Sequence, residues 1–190
     1  MNRLDATRVI VRHAGDGLIV SSLGHPTYDL FAAGDRPRNF YTWGSMGLAS
    51  SIALGLAIAR PELRVVAIDG DGSLLMNLGS LATIGMLQPA NLVVVVMDNE
   101  EYATTGGQRT PTAHGADLEA AGRAMGVRRT ATVESESELA AAFDTERPDR
   151  RQARGSLLIV AKVAESAPTV KPPLDCVWIK NRFMNAMGPA

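Results

Sequence analysis

Four short segments of this chain are almost unbroken apolar runs: Leu18-Ile19-Val20, Arg64-Val65-Val66-Ala67-Ile68, Leu92-Val93-Val94-Val95-Val96-Met97 and Leu157-Leu158-Ile159-Val160-Ala161. Runs this short and this rich in β-branched residues predict strands covered on both faces, as in a parallel sheet; a half-exposed strand would alternate instead. Between them lie segments of helical character. Residues 46–59 are rich in Ala, Leu and Gly and stop at Arg60-Pro61, where the residue before proline leaves the helical region. Residues 116–125 form a second predicted helix. A third is announced by Ser135 with Glu138 three positions later, a capping box, and by Leu139 and Phe143 on one face. The βαβα order, with no internal repeat, predicts one α/β domain over residues 1–190, built on an open, mostly parallel sheet with helices on both faces. Ligands of such sheets sit beyond the carboxyl ends of the strands.

Two segments fall outside the alternation. Residues 102–113, with Thr104-Thr105-Gly106-Gly107-Gln108-Arg109, read as a mobile loop able to close over a ligand. Residues 164–174 carry three prolines and read as an extended linker. It leads to a C-terminal helix bearing Val177-Trp178-Ile179 and Phe183-Met184, which is expected to pack on a neighbour.

Composition narrows the class. A length of 190 residues with 46% hydrophobic content supports a full core. Nineteen basic against twenty acidic residues give a net charge of -1, so no broad attraction to nucleic acid or an anionic membrane is expected. The run Arg147, Arg150, Arg151, Arg154 reads as a solvated loop. One cysteine, Cys176, excludes an internal disulfide, a Cys-rich zinc site or an iron–sulfur cluster held by this chain alone. The apolar runs are too short to span a bilayer, and Arg3 and Asp5 stand where a secretory signal needs apolar residues. A cytoplasmic protein is the expectation.

The chemistry-bearing residues stand at strand ends. Gly70-Asp71-Gly72-Ser73 follows the second apolar run and Asp98-Asn99 follows the third. A carboxylate and an amide oxygen side by side can hold a hard divalent cation, and the cation can hold a diphosphate. Gly-Asp-Gly alone is more often a turn. A calcium-binding loop starting at Asp69 fails, because its sixth position is Leu74 and its twelfth is Ser80. There is no Gly-Lys-Ser/Thr phosphate loop and no dinucleotide glycine fingerprint.

Gly70-Asp71-Gly72-Ser73, Asn99 placed 28 positions after Asp71, and the earlier Trp43-Gly44-Ser45-Met46-Gly47 occur together and in this order. On these three elements the chain resembles the diphosphate-binding domain of thiamine diphosphate enzymes. Within that superfamily it is most similar to the β subunits of sulfopyruvate and phosphonopyruvate decarboxylases. The resemblance runs from Leu18 through the 104–108 loop and, more loosely, to Lys180-Asn181-Arg182-Phe183-Met184.

The resemblance implies thiamine diphosphate and Mg²⁺ as cofactors. It assigns Asp71, the side chain of Asn99 and the backbone carbonyl of Glu101 as metal ligands. Gly70, Gly72 and Ser73 then meet the diphosphate at the start of a helix, and Gly24-His25 forms a second diphosphate-contacting turn. His25 reads equally well as a histidine capping a loop. Gly44, Ser45 and Met46 line the cofactor's rings: the Gly44 carbonyl accepts from its 4′-amino group, and Met46 wedges between the rings and bends it. Gly44 and Met46 are therefore the expected catalytic positions. Without the resemblance, Met46 reads as core.

The family also needs a glutamate from a pyrimidine-binding domain, and none of Glu100, Glu101, Glu119, Glu134, Glu136 or Glu138 lies in a segment like that domain. The implied protein is the diphosphate-binding subunit of a split decarboxylase, completed by a separate pyrimidine-binding subunit in a hetero-oligomer. Its implied substrate is a small 2-oxo acid, sulfopyruvate or phosphonopyruvate, giving an aldehyde and carbon dioxide. Arg109 and His114 are candidates to neutralise the second anionic group, although Arg109 reads equally as a solvated loop charge. The alternatives are an acetolactate-synthase-like carboligase subunit and a non-catalytic cofactor-binding subunit. Two residues depart from the family: Glu100 and Ala103 stand where glycine is common.

Overall fold

The structure, a computed structural model, describes residues 1–144, 155–164 and 170–188. The basic run at 147–154 lies outside these residues, as does part of the expected linker. In chain order the elements are α1 (Arg3–Ala14), β1 (Leu18–Ser21), α2 (His25–Ala33), β2 (Asn39–Tyr41), α3 (Ala49–Ala59), β3 (Val65–Gly70), α4 (Asp71–Met76), α5 (Ser80–Leu87) and β4 (Leu92–Asp98). There follow β5 (Glu101–Tyr102), β6 (Gln108–Arg109), a 3-10 turn (Pro111–His114), α6 (Leu118–Ala124), β7 (Arg129–Val133), α7 (Glu136–Asp144), β8 (Leu157–Lys162) and α8 (Cys176–Met187).

Six strands form one wholly parallel sheet in the order β2-β1-β3-β4-β8-β7. Alternate residues of each strand point to opposite faces, and both faces are covered. Ile19, Val66, Ile68, Val93, Val95, Leu157 and Ile159 meet Val9 and Ile10 of α1, Leu30 of α2, and Leu139 and Phe143 of α7. Leu18, Val20, Val65, Ala67, Val94, Val96 and Leu158 meet Ala53 and Ala57 of α3, Leu74 of α4, Ile84 of α5 and Leu118 of α6. The predicted all-apolar strands are thus explained by burial on two sides. The chain leaves β1 for one side of the sheet, to β2, and then crosses to β3 on the other. The carboxyl ends of β1 and β3 therefore flank the switch point, where α/β sheets bind ligands.

Three expectations are corrected. The helix predicted from residue 46 begins only at Ala49, because Ser45 (φ 61°) and Gly47 (φ 83°) are left-handed and cannot continue a right-handed helix. Residues 102–113 are no open loop. They complete the β5–β6 hairpin, pairing Glu101 with Arg109 and Tyr102 with Gln108, and end in the 3-10 turn. The C-terminal helix packs on its own sheet: Phe183 lies 5.2 Å from Phe40 of β2 between ring centroids, and Ile179 and Phe183 are both buried. It covers the edge strand β2, whose unpaired backbone would otherwise be open to another chain. The capping box forms as expected, with the Glu138 N–H donating to Ser135 Oγ and Glu138 Oε2 accepting from the Ser135 N–H, both at 3.3 Å.

Polar contacts pin α8 as well. Arg182 donates to Asp35 Oδ2 at 2.7 Å and Tyr41 donates to Asp35 Oδ1 at 2.7 Å. Burial pushes the Asp35 carboxyl up, but the hydrogen bonds from Arg182 and Tyr41 and the guanidinium charge outweigh it and hold it below the usual range. The folded state therefore favours the ionised form. The stability this adds is complete above the ordinary aspartate value and is lost as pH falls through the lower folded value. Acid unfolding between about pH 5 and about pH 3 should be shallower in Asp35→Asn than in the native chain. In urea, Phe183→Ala should cost ~3–5 kcal/mol, whereas Met184→Ala, 53% exposed, should cost ~0.5 kcal/mol or less.

Candidate active site

Parallel pairing of β3 with β4 sets Ile68 beside Val95 and Gly70 beside Met97. This register carries Asp71, Asp98 and Asn99 to one edge of the sheet. Beside them the Ser22 N–H extends the ladder from β1, donating to the Ile68 carbonyl at 2.8 Å. A cavity of about 260 Å³ opens there, lined by Ser22, His25, Met46, Gly70, Asp71, Gly72, Ser73, Asn99, Glu101, Tyr102 and Thr104, among others. Eight of the eleven expected cofactor residues line it. Gly24 lies behind the wall, and Gly44 and Ser45 are exposed at the surface.

Asp71 dominates the electrostatics. It is 2% exposed and shares its edge with Asp98, which is also buried. Burial pushes the Asp71 carboxyl up and the Asp98 charge pushes it further, with threonine hydroxyls offsetting part of the rise. Lys162 of β8 donates to Asp98 Oδ2 at 2.7 Å and to Glu100 Oε1 at 3.3 Å. It neutralises Asp98 and does not bond to Asp71. A buried carboxylate with its ionised form penalised is a place where a cation is favoured, and Asp71, the Asn99 amide oxygen and a backbone carbonyl are the hard oxygen donors Mg²⁺ takes. The residues present fit the group. One feature of the anion side is weaker than expected: α4 has only six residues. Attraction of a diphosphate there depends on the unsatisfied N–H groups of its first turn and little on a macrodipole.

Gly47, the residue after Met46, is held by a hydrogen-bond relay. The Gly47 N–H donates to Ser73 Oγ at 2.9 Å, Ser73 Oγ meets Ser22 Oγ at 2.9 Å, and Asn77 Nδ2 donates to the Gly47 carbonyl at 3.0 Å. A Cβ at Gly47 would lie 3.1 Å from the Ser73 carbonyl oxygen and from Asn77 Cβ. Left-handed backbone and close approach together require glycine here. The Met46 segment and the Asp71 helix are therefore one unit.

The turn at Asn99 is bonded internally. The Glu101 N–H donates to Asn99 Oδ1 at 3.4 Å and the Glu100 N–H to Asp98 Oδ1 at 3.2 Å. Glu100 adopts φ 61°, a left-handed conformation that suits glycine and costs a side-chain residue ~1–2 kcal/mol. Its carboxylate offsets the strain with partners at both oxygens, Arg109 at 2.8 Å and Lys162 at 3.3 Å. Arg109 also reaches Glu101 Oε1 at 3.3 Å. Neither Arg109 nor His114 lines the cavity. Sequence reading missed Ser22, Asn77, Thr110, Thr112 and Lys162, each of which bonds to a predicted site residue or to its neighbour.

Gly72 faces the Tyr102 ring so closely that a Cβ would lie 2.2 Å from Cε1. Gly72→Ala should therefore cost ~1–3 kcal/mol in urea unfolding. Combining it with Tyr102→Ala should recover part of that loss, since the clash is then gone.

Comparison with known proteins identifies the site's relatives. Residues 24–161 match the family described as thiamine pyrophosphate enzyme, C-terminal TPP binding domain. The chain is 42% identical over 189 residues to the sulfopyruvate decarboxylase subunit beta of Methanocaldococcus jannaschii, covering 97% of this chain and 96% of that one. It is 41% identical over 138 residues to the phosphonopyruvate decarboxylase of Streptomyces viridochromogenes, covering 73% of this chain and 34% of the relative. A solved structure of a putative thiamin diphosphate-dependent enzyme from Mycobacterium smegmatis superposes with a TM-score of 0.73 at 27% identity, over 87% of this chain and 32% of that one. With a family match over most of its length and a relative matched almost end to end, this chain belongs to the thiamine pyrophosphate enzymes, in their C-terminal TPP-binding domain family.

Proposed function

We propose that this chain is the diphosphate-binding subunit of a split, Mg²⁺- and thiamine diphosphate-dependent 2-oxo acid decarboxylase, acting on sulfopyruvate or phosphonopyruvate. The observation that carries the reading is the near end-to-end similarity to a sulfopyruvate decarboxylase β subunit, together with Asp71, Asn99, Glu101 and Met46 lining one cavity. A small 2-oxo acid with a second anionic group is the substrate class, and an aldehyde and carbon dioxide are the products.

The cofactor, when bound, supplies the electron sink that lets a 2-oxo acid lose carbon dioxide. Asp71, the Asn99 side chain and the Glu101 carbonyl would hold the Mg²⁺, and the first-turn N–H groups of Gly72 and Ser73 would hold the diphosphate. Met46, whose neighbour Gly47 is bonded to Ser73 and Asn77, would pack against the cofactor's rings. Gly44 offers an acceptor carbonyl from an exposed turn. Tyr102, against Gly72, and Thr104 close one side of the cavity and exclude water. Arg109 would have to leave both Glu100 and Glu101 to meet a substrate anion.

A separate pyrimidine-binding subunit supplies the glutamate in this reading. The β-subunit name of the relatives supports it, as does the exposure of Gly44 and Ser45 beside the cavity mouth. No helix among the described residues is long and apolar enough to cross a membrane.

The test is reconstitution of the chain with a candidate pyrimidine-domain subunit, Mg²⁺ and thiamine diphosphate, followed by carbon dioxide release from sulfopyruvate and from phosphonopyruvate. Turnover should require both subunits and should fall ~100-fold or more in Asp71→Asn. Turnover by this chain alone, or undiminished turnover in Asp71→Asn, would overturn the reading.

A further inference from the structure

Thr110 is fully buried and Thr112 is 7% exposed, in a segment that follows the hairpin and ends at the surface. Buried hydroxyls need partners, and here the main partner is a carboxylate. Thr110 Oγ1 donates to Asp71 Oδ2, and Thr112 Oγ1 lies within hydrogen-bond distance of the same oxygen at 3.0 Å. Thr112 Oγ1 also lies 2.9 Å from Asp98 Oδ1 and 2.9 Å from Thr110 Oγ1. The Thr110 N–H donates to the Glu100 carbonyl at 3.0 Å. Residues 100 to 110 are thereby closed into a loop whose two ends are fixed on Asp71 and Asp98.

We propose that Thr110 and Thr112 are positioning residues that commit Asp71 to one-oxygen coordination and so favour Mg²⁺ over Ca²⁺. The proposal rests on the reading of Asp71 as a metal ligand. Thr110 Oγ1 donates to Oδ2 and Thr112 Oγ1 stands 3.0 Å from it, so two hydroxyls flank this oxygen, although the single Thr112 proton is shared between Asp71 Oδ2 and Asp98 Oδ1. Neither threonine bonds Oδ1, the oxygen offered to a metal. Bidentate coordination, which needs both oxygens, is blocked while the two hydroxyls stay in place. Mg²⁺ requires near-octahedral geometry and uses single carboxylate oxygens, whereas Ca²⁺ takes six to eight oxygens and accepts bidentate carboxylates. The same two residues join Asp71 to the loop that carries Asn99 and Glu101, so they also fix the distance between the ligands. They touch neither metal nor substrate and act through Asp71.

The experiment is calorimetric titration of Mg²⁺, and separately of Ca²⁺, into the two-subunit complex at saturating thiamine diphosphate. It compares the native complex with Thr110→Val/Thr112→Val, with Thr112→Ala alone, and with Thr110→Ser/Thr112→Ser. In the valine pair, Mg²⁺ affinity should fall ~10-fold or more while Ca²⁺ affinity holds or rises, lowering the Mg²⁺:Ca²⁺ affinity ratio ~10-fold. The serine pair keeps both hydroxyls and should keep the native ratio. Thr112→Ala, which removes one hydroxyl, should lower the ratio about threefold, and it carries the test if the valine pair does not fold. Equal weakening of both metals, or an unchanged ratio, would overturn the proposal while leaving the metal site itself intact. Absence of any metal-dependent binding by the native complex would overturn both.

Discussion

The parallel pairing of β3 with β4 is the constraint on which the site depends. One register places Gly70 beside Met97, and the next residues along the chain are Asp71, which opens α4, and Asp98, which ends β4. Two buried carboxylates at adjacent strand ends repel one another, and the structure answers the repulsion unequally. Asp98 receives Lys162 from the neighbouring strand, whereas among the described residues Asp71 receives uncharged donors, the threonine hydroxyls and the Gly72 N–H. On the proposed reading, this asymmetry suits Asp71 to an added cation. A one-residue slip in this register would separate Asp71 from Asn99 and also turn the alternating core residues of β3 to the wrong face. Fold stability and site geometry are therefore enforced by the same pairing.

Much of this was legible in the sequence, and the reason differs by element. The four central strands announced themselves because burial on both faces forces continuous apolar runs. Strands β2 and β7 did not: Asn39-Phe40-Tyr41 is three residues long, and Arg129-Thr130-Ala131-Thr132-Val133 is an edge strand with mostly half-exposed side chains. Helix α1 hides behind Arg3, Asp5, Arg8, Arg12 and His13, of which Arg3 is buried in an ion pair with Asp29. The site's motif residues were readable because Gly-Asp-Gly-Ser, Asn99 and Met46 are local patterns. Their supports were not, since Thr110 and Thr112 lie 39 and 41 positions from Asp71 and Lys162 lies 64 from Asp98. Short polar residues at such separations carry no local signal until the sheet brings them together.

The turn at Glu100 shows how a side chain is accommodated where the backbone suits glycine. Glu100, in a backbone conformation suited to glycine, is held by Arg109 and Lys162. Arg109 and Lys162 thus serve the site's own carboxylates. Helix α8 covers the β2 edge, leaving Val177, Trp178 and Met184 exposed on its outer side. On the proposed reading, the open side of the molecule is the cavity mouth with the turn at Gly44 and Ser45, where a second subunit completes the active site.

On the proposed reading Asp71, and not its neighbour Asp98, receives the metal. The decisive measurement is a crystal structure of the two-subunit complex grown with Mn²⁺ and thiamine diphosphate, with the metal located by its anomalous signal. One peak is expected, ligated by Asp71 Oδ1, the Asn99 side-chain oxygen and the Glu101 carbonyl, with Asp98 still paired to Lys162. A peak ligated by Asp98, or a Lys162 displaced to admit the metal there, would contradict it.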